Sequence, residues 1–139
     1  MKNISTYLKE SVKSPARVFV IIKPGFLDLS QKILERFEQD GWKPYRMITK
    51  KLLESEAKKL YAIHKKEDWY NDLVKYMSSD ISTGCIMENP NKEMSSKVFK
   101  DVETIKDEIR EQYGESEMRN VMHSSDSLEH MATEQSVYF

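Results

Sequence analysis

Two periodicities alternate along this chain, and their order is the strongest constraint on its fold. Arg17 to Lys23 is a β-branched and aromatic run that reads as a central strand, broken by Pro24-Gly25. Phe26, Leu29, Ile33 and Phe37 then recur at helical spacing up to Gly41. Trp42 to Lys50 reads as a second strand, Glu54 to Ile63 and Asp68 to Met77 as two helices, and Thr83 to Met87 as a short apolar strand. Met94, Val98, Val102, Ile105 and Ile109 share one face of a further helix whose other faces are charged. Asn120 to His123 is the last strand, and a helix runs on from Leu128. The order βαβ(αα)βαβ predicts an α/β (α+β) chain: a ferredoxin-like sandwich, with a four-stranded antiparallel sheet and helices packed on it. Residues 1–15 read as a polar N-terminal extension, a short helix or disordered, and residues 16–139 as the single domain.

Composition excludes several classes of function. At 139 residues and 39% apolar content, the chain has enough material for one core. A net charge of −1 makes it no electrostatic glove for nucleic acid or an anionic membrane, so any phosphorylated ligand needs local cations. The apolar run Val18 to Ile22 is far too short to span a bilayer, and the N-terminus has no apolar signal-peptide core. One cysteine, Cys85, rules out an internal disulfide framework and points to a reducing, cytoplasmic setting; in its apolar strand it reads as an inert buried thiol. There is no P-loop, no Gly-x-Gly-x-x-Gly and no Cys/His cluster for zinc. His64 and His130 lack ligand partners at useful spacing and are assigned no site.

The chemistry is concentrated in Asn120-Val121-Met122-His123-Ser124-Ser125-Asp126-Ser127. A histidine ends a short apolar run, and a helix-start signature follows, with Asp126 as candidate cap and Glu129 three residues later. An imidazole at a strand-to-helix junction sits beside free backbone N–H groups that favour anions, where it can act as a nucleophile toward a phosphoryl group. Position alone favours a bland reading: a lone histidine more often satisfies local hydrogen bonds. Lys23 by itself likewise reads as a solvated strand end; packing is the alternative to weigh for Tyr61 and Trp69, and a solvated helix charge the alternative for Arg110.

The segment resembles the active-site signature of nucleoside diphosphate kinases, Asn-x-x-His-x-Ser-Asp-Ser. The similarity runs from Arg17 to Phe139. Val18-Phe19-Val20-Ile21-Ile22-Lys23-Pro24 resembles the family's first strand with its Lys-Pro, and Arg36 to Trp42 the end of its first helix. Leu73 to Ser79 is similar to a run typical of the family, and Glu134-Gln135-Ser136-Val137-Tyr138-Phe139 resembles Glu-x-Ser-x-Trp-Phe. The resemblance implies an enzyme that moves the γ-phosphate of a nucleoside triphosphate to a nucleoside diphosphate by a ping-pong route through phosphorylated His123. It implies that Glu134 holds the other imidazole nitrogen, supported by Ser125. Lys23 and Asn120 would contact ribose hydroxyls and phosphates, and Tyr61 would lie near the transferred phosphate. Arg110, thirteen residues before His123, would bind phosphate, and Trp69 would stack on the base. Asp126 would support Mg2+ through water.

Four departures from the family pattern stand out. Lys23-Pro24-Gly25-Phe26-Leu27-Asp28 replaces the usual Lys-Pro-Asp-Gly and the Arg-Gly after it. The family's arginine on the helix before the loop is matched by Lys97, which lacks the bidentate fork. Thr104 stands in for the phosphate-binding threonine of a shortened loop without its Thr-Asn-Pro and Pro-Gly-Thr elements. Glu117 takes the place of the apolar partner on the far side of the base. The shortened loop, and an end at Phe139 without the usual extension, favour a homodimer over a hexamer. Two other readings share the fold: a catalytically impaired nucleotide-binding or regulatory module, and a protein kinase that passes phosphate from histidine to protein targets.

Overall fold

The computed structural model describes residues 14–139. Strand β1 (Pro15–Ile22) leads through a 3-10 turn at Leu27–Leu29 into α1 (Ser30–Gln39), followed by β2 (Lys43–Lys50) and α2 (Glu54–Leu60). A second 3-10 turn, Ala62–His64, precedes α3 (Tyr70–Met77). Then come β3 (Ser82–Glu93), α4 (Lys97–Tyr113), β4 (Met122–Ser124) and α5 (Leu128–Tyr138). The strands lie in the order β2-β3-β1-β4 and every neighbouring pair is antiparallel, which is the predicted ferredoxin-like sheet. The polar extension expected over residues 1–15 falls mostly outside the described residues, and Pro15 already pairs in β1 opposite Glu93.

Strand β1 is central because it has no polar face to offer solvent: Val18, Phe19, Val20, Ile21 and Ile22 are all buried, on both sides of the sheet. Helix α1 buries Ile33 and Phe37 and ends in a hydrogen-bonded left-handed turn. Gly41 has φ +89°, its N–H donates to Glu38 O, and the N–H of fully buried Trp42 donates to Phe37 O. Glycine suits this position because a Cβ there would carry the strain of positive φ and lie 3.2 Å from the Asn89 side chain. Helix α4 buries Val98, Val102, Ile105 and Ile109 on the predicted face, with Phe99 added.

Most element boundaries shift by a few residues from the sequence-based expectation, and three of the differences have a clear physical reason. Strand β3 continues past Met87 to Glu93, where it still pairs with β1. Several side chains of that extension reach solvent, so the apolar signal fades before the strand does; Arg17 Nε donates to Glu88 Oε2 there at 2.7 Å. Strand β4 starts at Met122, because Val121 turns the chain at φ +79°. The cap of α5 is Ser127, not Asp126: Ser127 Oγ accepts from the His130 N–H, and the Asp126 carboxylate is engaged with the His130 ring instead. Among the described residues no helix is long and apolar enough to cross a membrane.

Candidate active site

Strand β4 is held to β1 by the pairs Ile22–Met122, Ile21–His123 and Val20–Ser124. Alternation buries Met122 and Ser124 and leaves His123 partly open on the opposite side. Helix α5 then carries Glu134 back over the histidine. His123 Nε2 donates to Glu134 Oε1, and Ser125 Oγ donates to Glu134 Oε2 at 2.5 Å. Ser125 is itself fixed by its N–H on Phe19 O at 3.0 Å. Glu134 is 8% exposed, so both oxygens of a nearly buried carboxylate are satisfied within the site. With the proton committed to Nε2, the lone pair of His123 sits on Nδ1.

Tyr61 closes α2 and meets the His123 ring edge-on, with centroids 6.4 Å apart. Its hydroxyl is buried and without a hydrogen-bond partner. Burial pushes its pKa up, so it remains a proton donor with nothing yet to donate to.

Lys23 ends β1 and is only 5% exposed. Nζ donates to Asn120 Oδ1 at 2.7 Å and Met118 O at 3.3 Å, and its backbone N–H donates to Val121 O at 2.9 Å. These acceptors are arranged by an unusual turn. Met122 N–H donates to Asn120 O at 3.0 Å across Val121, which makes Asn120-Val121-Met122 a γ-turn of the rare positive-φ hand. A β-branched residue there costs about 1–3 kcal/mol, and burial of Val121 in the core holds it in place. Burial, then the charges of Arg110 and Lys106, bring the Lys23 pKa down to about 7. Arg110, on α4, donates from Nε and Nη2 to Met122 O at 3.1 and 2.8 Å.

These side chains line a cavity of about 730 Å³, a size suited to a small-molecule ligand. Leu60, Ile63, His64, Trp69 and Leu73 from the α2–α3 region give it apolar and aromatic surface, and Ser116, Glu117 and Met118 join from the loop after α4. The His64 and Trp69 rings lie 4.9 Å apart, and Trp69 is 43% exposed, leaving indole surface free.

Of the residues singled out in the sequence, Lys23, Tyr61, Trp69, Arg110, His123, Asp126 and Glu134 line this cavity. Asn120 and Ser125 touch lining residues directly. Lys97 and Thr104 do not join them. Both are exposed on α4, where Thr104 Oγ1 donates to Lys100 O. Seven residues apart, they share a face roughly 120–140° around the helix from Arg110. The continuous helix, running on through Thr104 where the family pattern has a loop, is what turns them away.

His64 and His130, to which the sequence assigned no site, both line the cavity. His130 Nδ1 is hydrogen-bonded to Asp126 Oδ1, four residues earlier, and that bond raises the His130 pKa. Burial works against the Asp126 carboxylate, but the bond and charge of His130 outweigh it and leave its pKa below the ordinary value. Metal-ligand spacing gives no sign of either histidine; for His130 the available signal is the Asp126–His130 pair at i,i+4. Among the described residues no group of three His, Cys, Asp or Glu side chains could hold a metal ion by itself.

An oriented histidine facing a cavity, with a buried lysine and a partly buried arginine beside it on an α+β sandwich, has the parts of a phosphotransferase-type site. Comparison with known proteins agrees with that class. Residues 16–139 match the family model described as nucleoside diphosphate kinase. The chain is 32% identical over 129 residues to the nucleoside diphosphate kinase of Kosmotoga olearia and 34% identical to that of Ignicoccus hospitalis, each match covering 88% of both chains. The crystal structure of the Aquifex aeolicus nucleoside diphosphate kinase superposes with a TM-score of 0.77 at 26% identity, covering 91% of this chain and 96% of that one. The chain belongs to the nucleoside diphosphate kinase family.

Proposed function

We propose that this protein transfers the γ-phosphate of a nucleoside triphosphate to a nucleoside diphosphate through phosphorylated His123. The observation that carries this reading is the His123–Glu134–Ser125 chain of hydrogen bonds, which assigns the lone pair to Nδ1 beside the cavity. Nδ1 attacks the γ-phosphorus, the bond from that phosphorus to the oxygen bridging to the β-phosphate breaks, and the diphosphate leaves with the bond's electrons. Glu134 keeps the Nε2 proton in place as the ring becomes cationic. A second diphosphate then attacks the phosphohistidine with a β-phosphate oxygen, and the P–N bond breaks. Lys23 and Arg110 offer the positive charge that phosphoryl transfer needs, and the orphaned Tyr61 hydroxyl offers a donor to a phosphate oxygen. The His64–Trp69 wall suits stacking of any base, which supports broad nucleotide use.

The donor set suits Mg2+ that arrives on the nucleotide rather than in a protein cage: Asp126 is an exposed carboxylate on the cavity, able to hold a water of the ion's hydration shell. Bound there, the ion would neutralise phosphate charge.

A homodimer is the favoured assembly. Strand β2 is a sheet edge with Tyr45, Met47 and Ile48 exposed, and an unpaired apolar edge calls for a cover. A reducing compartment such as the cytoplasm suits Cys85, which is free and buried with its pKa pushed up to about 12.

The alternative, a binding module without turnover, draws support from the positions of Lys97 and Thr104 away from the cavity. His123→Ala separates the two. The kinase reading expects the variant to fold and bind nucleotide but take no phosphoryl group, whereas wild type takes one. A wild-type chain that binds nucleotide and is never phosphorylated favours the module.

A further inference from the structure

We propose that Lys106 is a phosphate-binding residue of the nucleotide site, supplying the cation that Lys97 does not; this rests on the nucleotide-kinase reading above. Lys106 does not itself line the cavity, but it lies four residues before Arg110 on α4, partly buried on the face that carries Arg110 to the cavity, while Lys97 and Thr104 point elsewhere. Three cations gather here. Lys106 and Arg110 both act on Lys23, and Arg110 acts on Lys106.

What holds these cations is the informative part. Lys23 is anchored by Asn120 Oδ1 and the Met118 carbonyl, and Arg110 by the Met122 carbonyl, all neutral acceptors. Among the described residues no salt bridge engages Lys23, Lys106 or Arg110. Glu103 and Asp107 on the same helix, and Asp126 across the β4–α5 junction, attract Lys106 without pairing with it. Like charges brought together in partly buried positions cost stability in the empty protein. With Lys23 and Arg110 anchored by neutral groups, the positive charge here is left without an ion-pair partner, and the ligand that matches it carries several negative charges in a row. A di- or triphosphate chain does so, and a single carboxylate does not. The flexible four-carbon stem of lysine allows Lys106 to reach toward such a chain from one turn above Arg110.

The test is equilibrium binding without turnover, on the full chain. Lys106→Met should weaken both ADP and inorganic tripolyphosphate by about tenfold or more, the scale of one charge-assisted hydrogen bond. Adenosine, which has no phosphate, should bind Lys106→Met and wild type alike. Lys106→Arg should restore most of the ADP affinity. Lys100→Met, which removes a charge from an exposed position of the same helix, should leave it unchanged. The melting temperature of empty Lys106→Met should hold or rise, since a structural lysine would lower it; if the methionine variant does not fold, Lys106→Gln takes its place. Unchanged ADP affinity in Lys106→Met, or an equal loss in Lys100→Met, overturns the proposal. Phosphorylation of wild type at His123 is measured in parallel. Label on His123 with no effect of Lys106→Met keeps the kinase reading and removes this inference. The Lys106→Met loss without label does the reverse.

Discussion

The Glu134 carboxylate grips His123 by Nε2 and, through its second oxygen, is itself gripped by Ser125. The arrangement fixes which imidazole nitrogen can act. Because Glu134 acts through the histidine, its loss should slow chemistry rather than weaken binding. Glu134→Gln should lower the rate of His123 phosphorylation by about 10²-fold, in line with other losses of a histidine-orienting partner. Its KM for ATP should stay near that of wild type. A variant in which KM rises and the phosphorylation rate holds would move Glu134 out of this role.

The aromatic wall makes a separate prediction. Trp69 is partly exposed and backed by His64, so Trp69→Ala removes stacking surface with little cost to the core. Nucleotide affinity should fall by about 1–3 kcal/mol, with the loss similar for adenine, guanine and pyrimidine nucleotides. Titration with ADP, GDP and CDP checks it; a loss confined to one base would mean hydrogen-bonded recognition instead.

Lys23 makes the site sensitive to pH. Its pKa in the folded, empty protein is about 7, below the ordinary 10.5, so the unfolded chain binds more protons between those values. The contribution of Lys23 to stability therefore rises as pH goes from about 7 to 10.5 and is lost as pH falls back through that window. Bound phosphates favour the charged ammonium. At pH 8, ADP binding should draw in up to one proton per chain, seen as a dependence of the binding heat on the buffer's ionisation enthalpy. Lys23→Arg, which stays charged throughout, should remove that dependence; equal proton uptake in the variant would assign the proton to another group.

Lys97 and Thr104 should matter little. Lys97→Ala and Thr104→Ala are expected to keep kcat/KM within severalfold of wild type, because both side chains sit on the solvent face of α4. A loss of two orders of magnitude in steady-state assays would show that α4 moves when nucleotide binds.

The contrast between Lys97 and Lys106 indicates how far the residues alone could lead. The element order and the α4 face were legible because apolar side chains repeat at the period of the element that buries them: β1 is apolar from Val18 to Ile22, and Val98, Val102, Ile105 and Ile109 follow one helical stripe. His123 and Glu134 were legible because they lie at opposite ends of one short strand-to-helix unit, and the resemblance covers both. Lys97 and Thr104 were assigned by matching the family pattern position by position, although the apolar stripe read in the same segment already turns both outward on a helix and places Lys106 one turn from Arg110. The Val121 turn was hidden for a different reason. A buried β-branched residue at φ +79° violates local preference, and the surrounding core, the Lys23–Val121 hydrogen bond and the Met122–Asn120 hydrogen bond across the turn hold it there. The capping role of Ser127 was masked by the adjacent Asp126, whose partner is the His130 ring.

The most direct test of the account is a label transfer. The protein is incubated with γ-labelled ATP and Mg2+, freed of nucleotide, and chased with unlabelled GDP. The account predicts acid-labile label on wild type, none on His123→Ala, and quantitative passage of that label to GTP in the chase. Nucleotide bound by folded protein with no label on the chain, or label that stays when GDP is added, would contradict it.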